Sequence, residues 1–172
     1  MFRWRGQDDS CVFLSRLLAV LLLIPIGFLP EASPALSRWE WPVGPPHHVT
    51  RPFEAPPTPY AAGHRGIDLS AQSGDPVYAP ADGVVSFAGV VVDRPVLSLK
   101  HDGDLISSFE PVDVVVAEGE HVVAGQLVGL ISIGGHCSAR CIHFGVRLNG
   151  QYVSPLLYLV GIPPAVLLPL YD

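Results

Sequence analysis

Residues 83–110 read GVVSFAGVVVDRPVLSLKHDGDLISSFE, and the reading of this stretch decides the fold. Gly83 to Val92, Pro95 to His101 and Asp104 to Phe109 are short runs rich in Val, Leu, Ile and Phe, the composition of strands. Asp102-Gly103 between the last two supplies the positive φ that a two-residue hairpin turn requires. Working outward, Val77 to Ala79, Leu127 to Ile133, Ile142 to Leu148 and Gln151 to Val153 read the same way, with Asn149-Gly150 as a second hairpin turn. No helical 3.6-residue stripe of useful length follows residue 35. The expected fold is all-β: a compact antiparallel sheet in a barrel-like sandwich with long loops.

Composition agrees. The 172 residues include 18 Pro and 17 Gly, are 49% hydrophobic and only 15% charged, and carry a net charge of −6. Lys100 is the single lysine. Helical bundles and coiled coils draw on Ala, Glu, Lys, Leu and Arg, so this balance excludes them. The acidic charge excludes a nucleic-acid partner, because nothing here would neutralise a phosphate backbone.

Residues 1–35 read as a signal peptide. Arg3, Arg5 and Arg16 precede an apolar run from Leu17 to Leu29, shorter than the roughly 20 residues of a membrane span. Small residues at Ser33 and Ala35 suit cleavage before Leu36. The alternative is an uncleaved anchor extended by Val12, Phe13 and Leu14. Either way the domain is expected outside the cytoplasm, touching membrane only through this segment. Cys11 precedes the apolar run, where a lipidated Cys would follow it. Cys137 and Cys141 then remain with one possible pairing, which an oxidising compartment favours as a disulfide. Residues 36–59 form a Pro-rich lead-in that wraps onto the domain, with His47 and His48 on a surface loop. Residues 60–159 form the β domain, and residues 160–172 a Pro/Leu-rich tail.

Two segments carry the chemistry: Gly63 to Ser70 (GHRGIDLS) and His136 to Gly145 (HCSARCIHFG). Imidazole and carboxylate are both zinc donors. In a straight strand His64 and Asp68 would stand roughly 13 Å apart, so one metal requires a bend, and Gly66 permits it. A third donor is expected from the second segment, where His143 heads an apolar-alternating strand with Cys141 two residues earlier on the same face.

Four motifs in order resemble the lysostaphin/LytM-type zinc metallopeptidases, which cleave peptidoglycan peptides. These are GHRGIDLSA (63–71), GDPVYAPADGVVSFAG (74–89), GEHVVAGQLVGLI (119–131) and CIHFGVR (141–147), and the resemblance spans roughly Val43 to Leu159. It is greatest to short exported actinobacterial members. It implies one zinc ion held by His64, Asp68 and His143, in a compact antiparallel β fold with a groove over the metal.

The departures from the family pattern matter as much. The first His of the family's His-x-His strand is Cys141 here, and Pro111 stands where a second proton-handling His is expected. Proline has no proton to exchange, and neither does a disulfide-bonded Cys. His136 and Glu110 are the candidate catalytic replacements: His136 on a loop that a Cys137–Cys141 bond would pin, Glu110 as a carboxylate beside the metal. As a free thiolate Cys141 would instead close the site with a fourth ligand. Arg147, four residues past His143 on the same strand face, could meet carboxylates of the substrate, or form a surface ion pair. His101 and His121 read as solvated residues.

Two functions follow from the resemblance. One is an exported, wall-associated zinc metalloendopeptidase with peptidoglycan peptides as partners. The other is a catalytically degenerate relative that binds peptidoglycan or regulates a partner cell-wall hydrolase. A biotinyl or lipoyl carrier, suggested by GEHVVAGQLVGLI, needs a lysine at an exposed turn. Lys100 sits at the end of a strand instead, and an exported chain is in the wrong compartment for that role.

Overall fold

The computed structural model describes residues 38–58 and 60–160; the proposed signal segment and the Pro/Leu-rich tail beyond Val160 lie outside the described residues. Among the described residues, eleven strands fall into two sheets. The larger contains β1 (Val49–Arg51), β2 (Ile67–Ser70), β4 (Gly83–Val91), β5 (Arg94–His101), β6 (Leu105–Glu110), β8 (His121–Val122) and β10 (Cys141–Leu148). They lie in the order β1-β2-β10-β6-β5-β4-β8, and β11 (Gln151–Val153) pairs with β10. The smaller sheet is β3 (Pro76–Tyr78), β9 (Leu127–Ile131) and β7 (Val112–Val114), in the order β3-β9-β7. Every pairing among these strands is antiparallel. The fold is therefore all-β and antiparallel as expected, with one short helix, α1 (Leu156–Leu159), and a single 3₁₀ turn at Gly135–Cys137 among the described residues.

Alternation along the strands decides what is buried. On β10, Ile142, Phe144 and Val146 are fully buried, while His143 and Arg147 point to the opposite face, as period-two geometry demands. Phe144 stacks on Phe109 of β6 at 5.1 Å between ring centroids. Such a pair contributes roughly 0.5–1.5 kcal/mol beyond the area it buries. Leu97, Leu99, Ile67, Leu69, Val112 and Ile131 complete the centre of the core. The chain leaves the large sheet at Glu110 and enters the small one at Val112, so Pro111 marks the crossing between sheets.

The lead-in packs on the domain. Trp39 is buried and its ring lies 4.9 Å from Tyr158 and 4.7 Å from His101. Arg38 donates from Nε to the Leu159 carbonyl at 2.7 Å, tying this segment to α1. The same lead-in also contains β1, a strand that its proline content conceals. His47 and His48 are exposed, His47 stacking on Trp41 at 4.5 Å. The Asn149-Gly150 turn is a two-residue hairpin with φ of 48° and 77°. The Asp102-Gly103 turn is instead a three-residue loop, because His101 pairs with Leu105, and Gly103 and Asp104 both take positive φ.

His101 corrects one expectation. Read from sequence as solvated, it continues the inward series Leu97, Leu99, His101 and is buried. Its Nδ1–H donates to the Asp82 carbonyl at 2.7 Å, which leaves Nε2 to accept from the Ser107 hydroxyl at 2.8 Å. His121 is exposed, as expected.

Burial lowers the His101 pKa below 6.5, opposed by the Asp82 carbonyl and the nearby Asp102 and Asp82 charges. The unfolded chain therefore binds a proton first as pH falls. The stability linked to this group is complete above about pH 6.5 and declines as pH drops toward the lowered folded value, with a slope of at most about 1.4 kcal/mol per pH unit. Urea midpoints measured from pH 7.5 to 5.5 should fall for the wild type. They should be lower but flatter for His101→Gln; parallel curves would refute the assignment.

Candidate metal centre and groove

The face of the large sheet turned away from the core carries the polar residues of β2, β10 and β6. Ile67 and Leu69 face the core, so Asp68 between them faces out. The register places His143 opposite Asp68 on one side and opposite Glu110 on the other. His64 arrives from the turn before β2, where it pairs with Glu54 through backbone hydrogen bonds in both directions.

These side chains converge. His64 Nε2 lies 3.0 Å from Asp68 Oδ1 and 3.1 Å from His143 Nδ1, and His143 Nδ1 lies 2.8 Å from the same carboxylate oxygen. A tetrahedral zinc site with bonds near 2.0 Å has donor–donor edges of ~3.3 Å, so a metal needs only a few tenths of an ångström of outward movement. His64 Nδ1 donates to the Pro52 carbonyl at 2.7 Å, which fixes the tautomer because a carbonyl only accepts. In the neutral ring Nε2 then offers a lone pair to a carboxylate oxygen. Two acceptors at 3.0 Å in a 4–5% exposed setting repel unless a cation lies between them or on them. The Pro52 contact is the outer support that a metal-binding imidazole characteristically has.

Asp68 is ready for that role across a wide pH range. Burial by itself would raise its pKa. The hydrogen bonds from His143 and His136, with the positive charge that His64 and His136 carry when protonated, outweigh that effect and hold it at about 2.

Gly66 does more than permit a bend. A Cβ there would strike the Phe144 carbonyl and come within 2.7 Å of His143 Nε2. The chain runs so close beside β10 here that only hydrogen fits.

The structure brings His136 to the same point. Its Nε2 lies 3.0 Å from both Asp68 oxygens, and donor atoms of His64, Asp68, His136 and His143 all fall within 4.8 Å of one another. The Cys137–Cys141 disulfide, with Cα atoms 4.9 Å apart, holds the loop that carries it. Ser138 and Ala139 both take left-handed backbone to close that loop. With Cys141 bonded to Cys137, neither sulfur is a free thiolate. Glu110 faces the groove but is engaged: its Oε2 lies 3.0 Å from Arg94 Nε, and that contact is the largest cause of the raised Arg94 pKa. The groove over the donors encloses about 400 Å³ and is lined by Arg51, Arg65, Arg94, Glu110, His136 and Tyr152, among others. Arg147 stands at its edge, its guanidinium carbon 5.8 Å from the Tyr152 ring centroid. Tyr152, Arg51, Arg65 and Arg94 are groove residues that sequence reading did not single out; for Tyr152, its place after Asn149-Gly150, paired across from Arg147, was the available signal.

Comparison with known proteins gives three findings. Residues 62–155 match the model of peptidase family M23. An uncharacterised Mycobacterium tuberculosis protein, Rv2891, is 40% identical over 157 residues, covering 86% of this chain and 63% of its own length. The murein hydrolase activator NlpD of Escherichia coli is 33% identical over 130 residues, covering 74% of this chain and 32% of its own. This chain thus corresponds to less than two thirds of either relative. Among solved structures, a mutant form of the catalytic domain of the prophage-encoded M23 protein EnpA from Enterococcus faecalis superposes with a TM-score of 0.56 at 27% identity. That match covers 68% of this chain and 95% of EnpA's.

The close crossing at Gly66 has a measurable consequence. Gly66→Ala should lower stability by about 1–3 kcal/mol, the usual cost of overpacking, in guanidinium titration. Gly44→Ala, where an added Cβ meets nothing within 4 Å, serves as the control. Equal stability for the two variants would remove the steric argument.

Proposed function

The chain belongs to peptidase family M23, and from that membership we propose that it is a zinc metalloendopeptidase working on peptidoglycan peptides outside the cytoplasm. The observation that carries this reading is the convergence of His64 Nε2, Asp68 Oδ1 and His143 Nδ1 at 2.8–3.1 Å on the floor of an open groove. The donor set fits zinc: two imidazoles, one carboxylate held ionised, and an outer hydrogen bond fixing His64. A zinc ion held by these residues would polarise a scissile carbonyl and lower the pKa of a bound water toward 7. Asp68 and His143 hold their orientation through the β2–β10 pairing, and His64 through Pro52.

Proton handling falls to His136 in this reading. It is the most exposed of the four, at 44% for its side chain, and reaches over the carboxylate from the open side of the groove. A ring there can take a proton from an attacking nucleophile and return it to a leaving amine. Glu110 is the weaker candidate, since Arg94 occupies its carboxylate.

A second reading has its own observations. Pro111 has no proton to exchange, and Cys141 is bonded to Cys137. These are the two positions where the family resemblance expects histidines. The relative NlpD is a murein hydrolase activator. On this reading the chain binds peptidoglycan or acts on a partner hydrolase without cutting.

Release of new amino groups from purified cell walls separates the two. The wild type should release them in a zinc-dependent way, and His64→Ala should abolish both the release and zinc binding. His136→Gln should keep zinc and reduce turnover by about 10²–10⁴-fold. Wall binding with no amine release in any metal condition would establish the second reading.

A further inference from the structure

A second set of donors shares one member with the first. Asp68, His136, Cys137 and Cys141 each place a ligand atom within 4.8 Å of the others. Half of this set comes from strand register. Cys141 opens β10 opposite Ser70, just as His143 two residues on stands opposite Asp68. Cys141 and His143 therefore share a face, and the Cys141 sulfur stands on the side of the Asp68 carboxylate. The 3₁₀ turn Gly135–Cys137 supplies the rest. His136 and Cys137 are consecutive in it, and His136 Nε2 lies 3.0 Å from both Asp68 oxygens.

While the Cys137–Cys141 bond stands, neither sulfur is a thiolate, and the thiolate is the form that binds metal. The bond spans a sequence separation of only 4, so it restrains little of the unfolded chain. Its larger effect is on the chemistry of this face. Two thiolates, an imidazole and a carboxylate make four donors, the number that closes a tetrahedral zinc site. Thiolate is also the ligand class that selects zinc over harder cations. His136, Ser138 and Arg140 around the bond are exposed, so the loop that carries it faces solvent.

We propose that Cys137 and Cys141 form a redox-controlled metal site: once their bond is reduced, both sulfurs, with His136 and Asp68, hold a zinc-class cation. The reductant is a dithiol. One of its thiolates attacks a sulfur of the pair, forming a mixed disulfide, and its second thiol resolves that bond. The reductant leaves as a disulfide, and two cysteine thiols remain. On coordination each thiol releases its proton to solvent and gives a lone pair to the metal. His64 and His143 take no part. The site stands on its own geometry, whereas its consequence rests on the metallopeptidase reading. There, reduction makes His136 a ligand and withdraws its lone pair from proton handling, so the oxidised protein is the form that cuts.

Cobalt(II), added to the full chain, tests this through the near-ultraviolet charge-transfer band that thiolate ligation gives it. Cys11→Ser is present in every sample to remove the third thiol, and a phosphine is the reductant because dithiols bind cobalt themselves. The oxidised protein should show no such band, and reduction should produce it. Cys137→Ser/Cys141→Ser should lose the band, and His64→Ala should keep it. His136→Gln should need at least about tenfold more cobalt for half the intensity, since a lost ligand costs no less than a lost outer-shell partner. No band in the reduced protein overturns the site, a comparison that does not depend on how any variant folds. So does an equal band in guanidinium at the same cobalt concentration, because two cysteines in an unfolded chain would then suffice. A band lost in His64→Ala or unchanged in His136→Gln overturns the donor set. Amine release by the oxidised protein with no band on reduction would remove this site and leave the peptidase reading. A band on reduction with no amine release in either state would do the reverse.

Discussion

The pairing of β10 with β2 on one side and β6 on the other is the constraint on which the rest depends. Phe144 must face inward to stack on Phe109, and a strand gives its neighbours no choice after that. His143 is forced to the outer face, and the register sets Asp68 and Glu110 beside it. A slip of one residue would bury His143 and expose Phe144, exchanging the contents of core and groove. The hydrophobic core thus positions the polar site, since the same alternation produces both.

That constraint also explains which parts were legible in the sequence. The alternating CIHFGVRL of β10 and the His64-x-Gly66-x-Asp68 spacing are local patterns, and local patterns with a period survive in a linear string. The Asn149-Gly150 turn was legible because its residues tolerate positive φ. The turn between β4 and β5 was legible to within a residue: it uses Val92 at φ 61°, a residue that ordinarily avoids this region, so the strand was read to Val92 where it ends at Val91. β1 was hidden by the prolines around it, and β2 is a short strand inside a motif dominated by its polar residues.

The candidate site was legible to a similar depth. His64, Asp68 and His143 follow from spacing and family resemblance, and the groove brings them together. The contact of His136 with both oxygens of Asp68 was beyond reading in detail. It depends on the path of a loop closed by a disulfide and two left-handed residues, Ser138 and Ala139. His101 was misread for the opposite reason. Its proximity to a turn outweighed its place in the Leu97, Leu99, His101 series, and alternation is the stronger signal wherever a strand is already established.

Charge completes the picture. The described part of the chain is acidic, so the gathering of arginines at one groove is not a consequence of composition. Sequence placed Arg147 on the His143 face but gave no hint that Arg65, far earlier in the chain, would share its aromatic neighbour. What joins them is again the β10 register: β2 pairs with its first half and β11 with its second. The turn leading into β2 therefore ends beside the hairpin that carries Tyr152. The strand that sets His143 beside Asp68 also sets how far Arg147 stands from them, because all of these positions are fixed by one register.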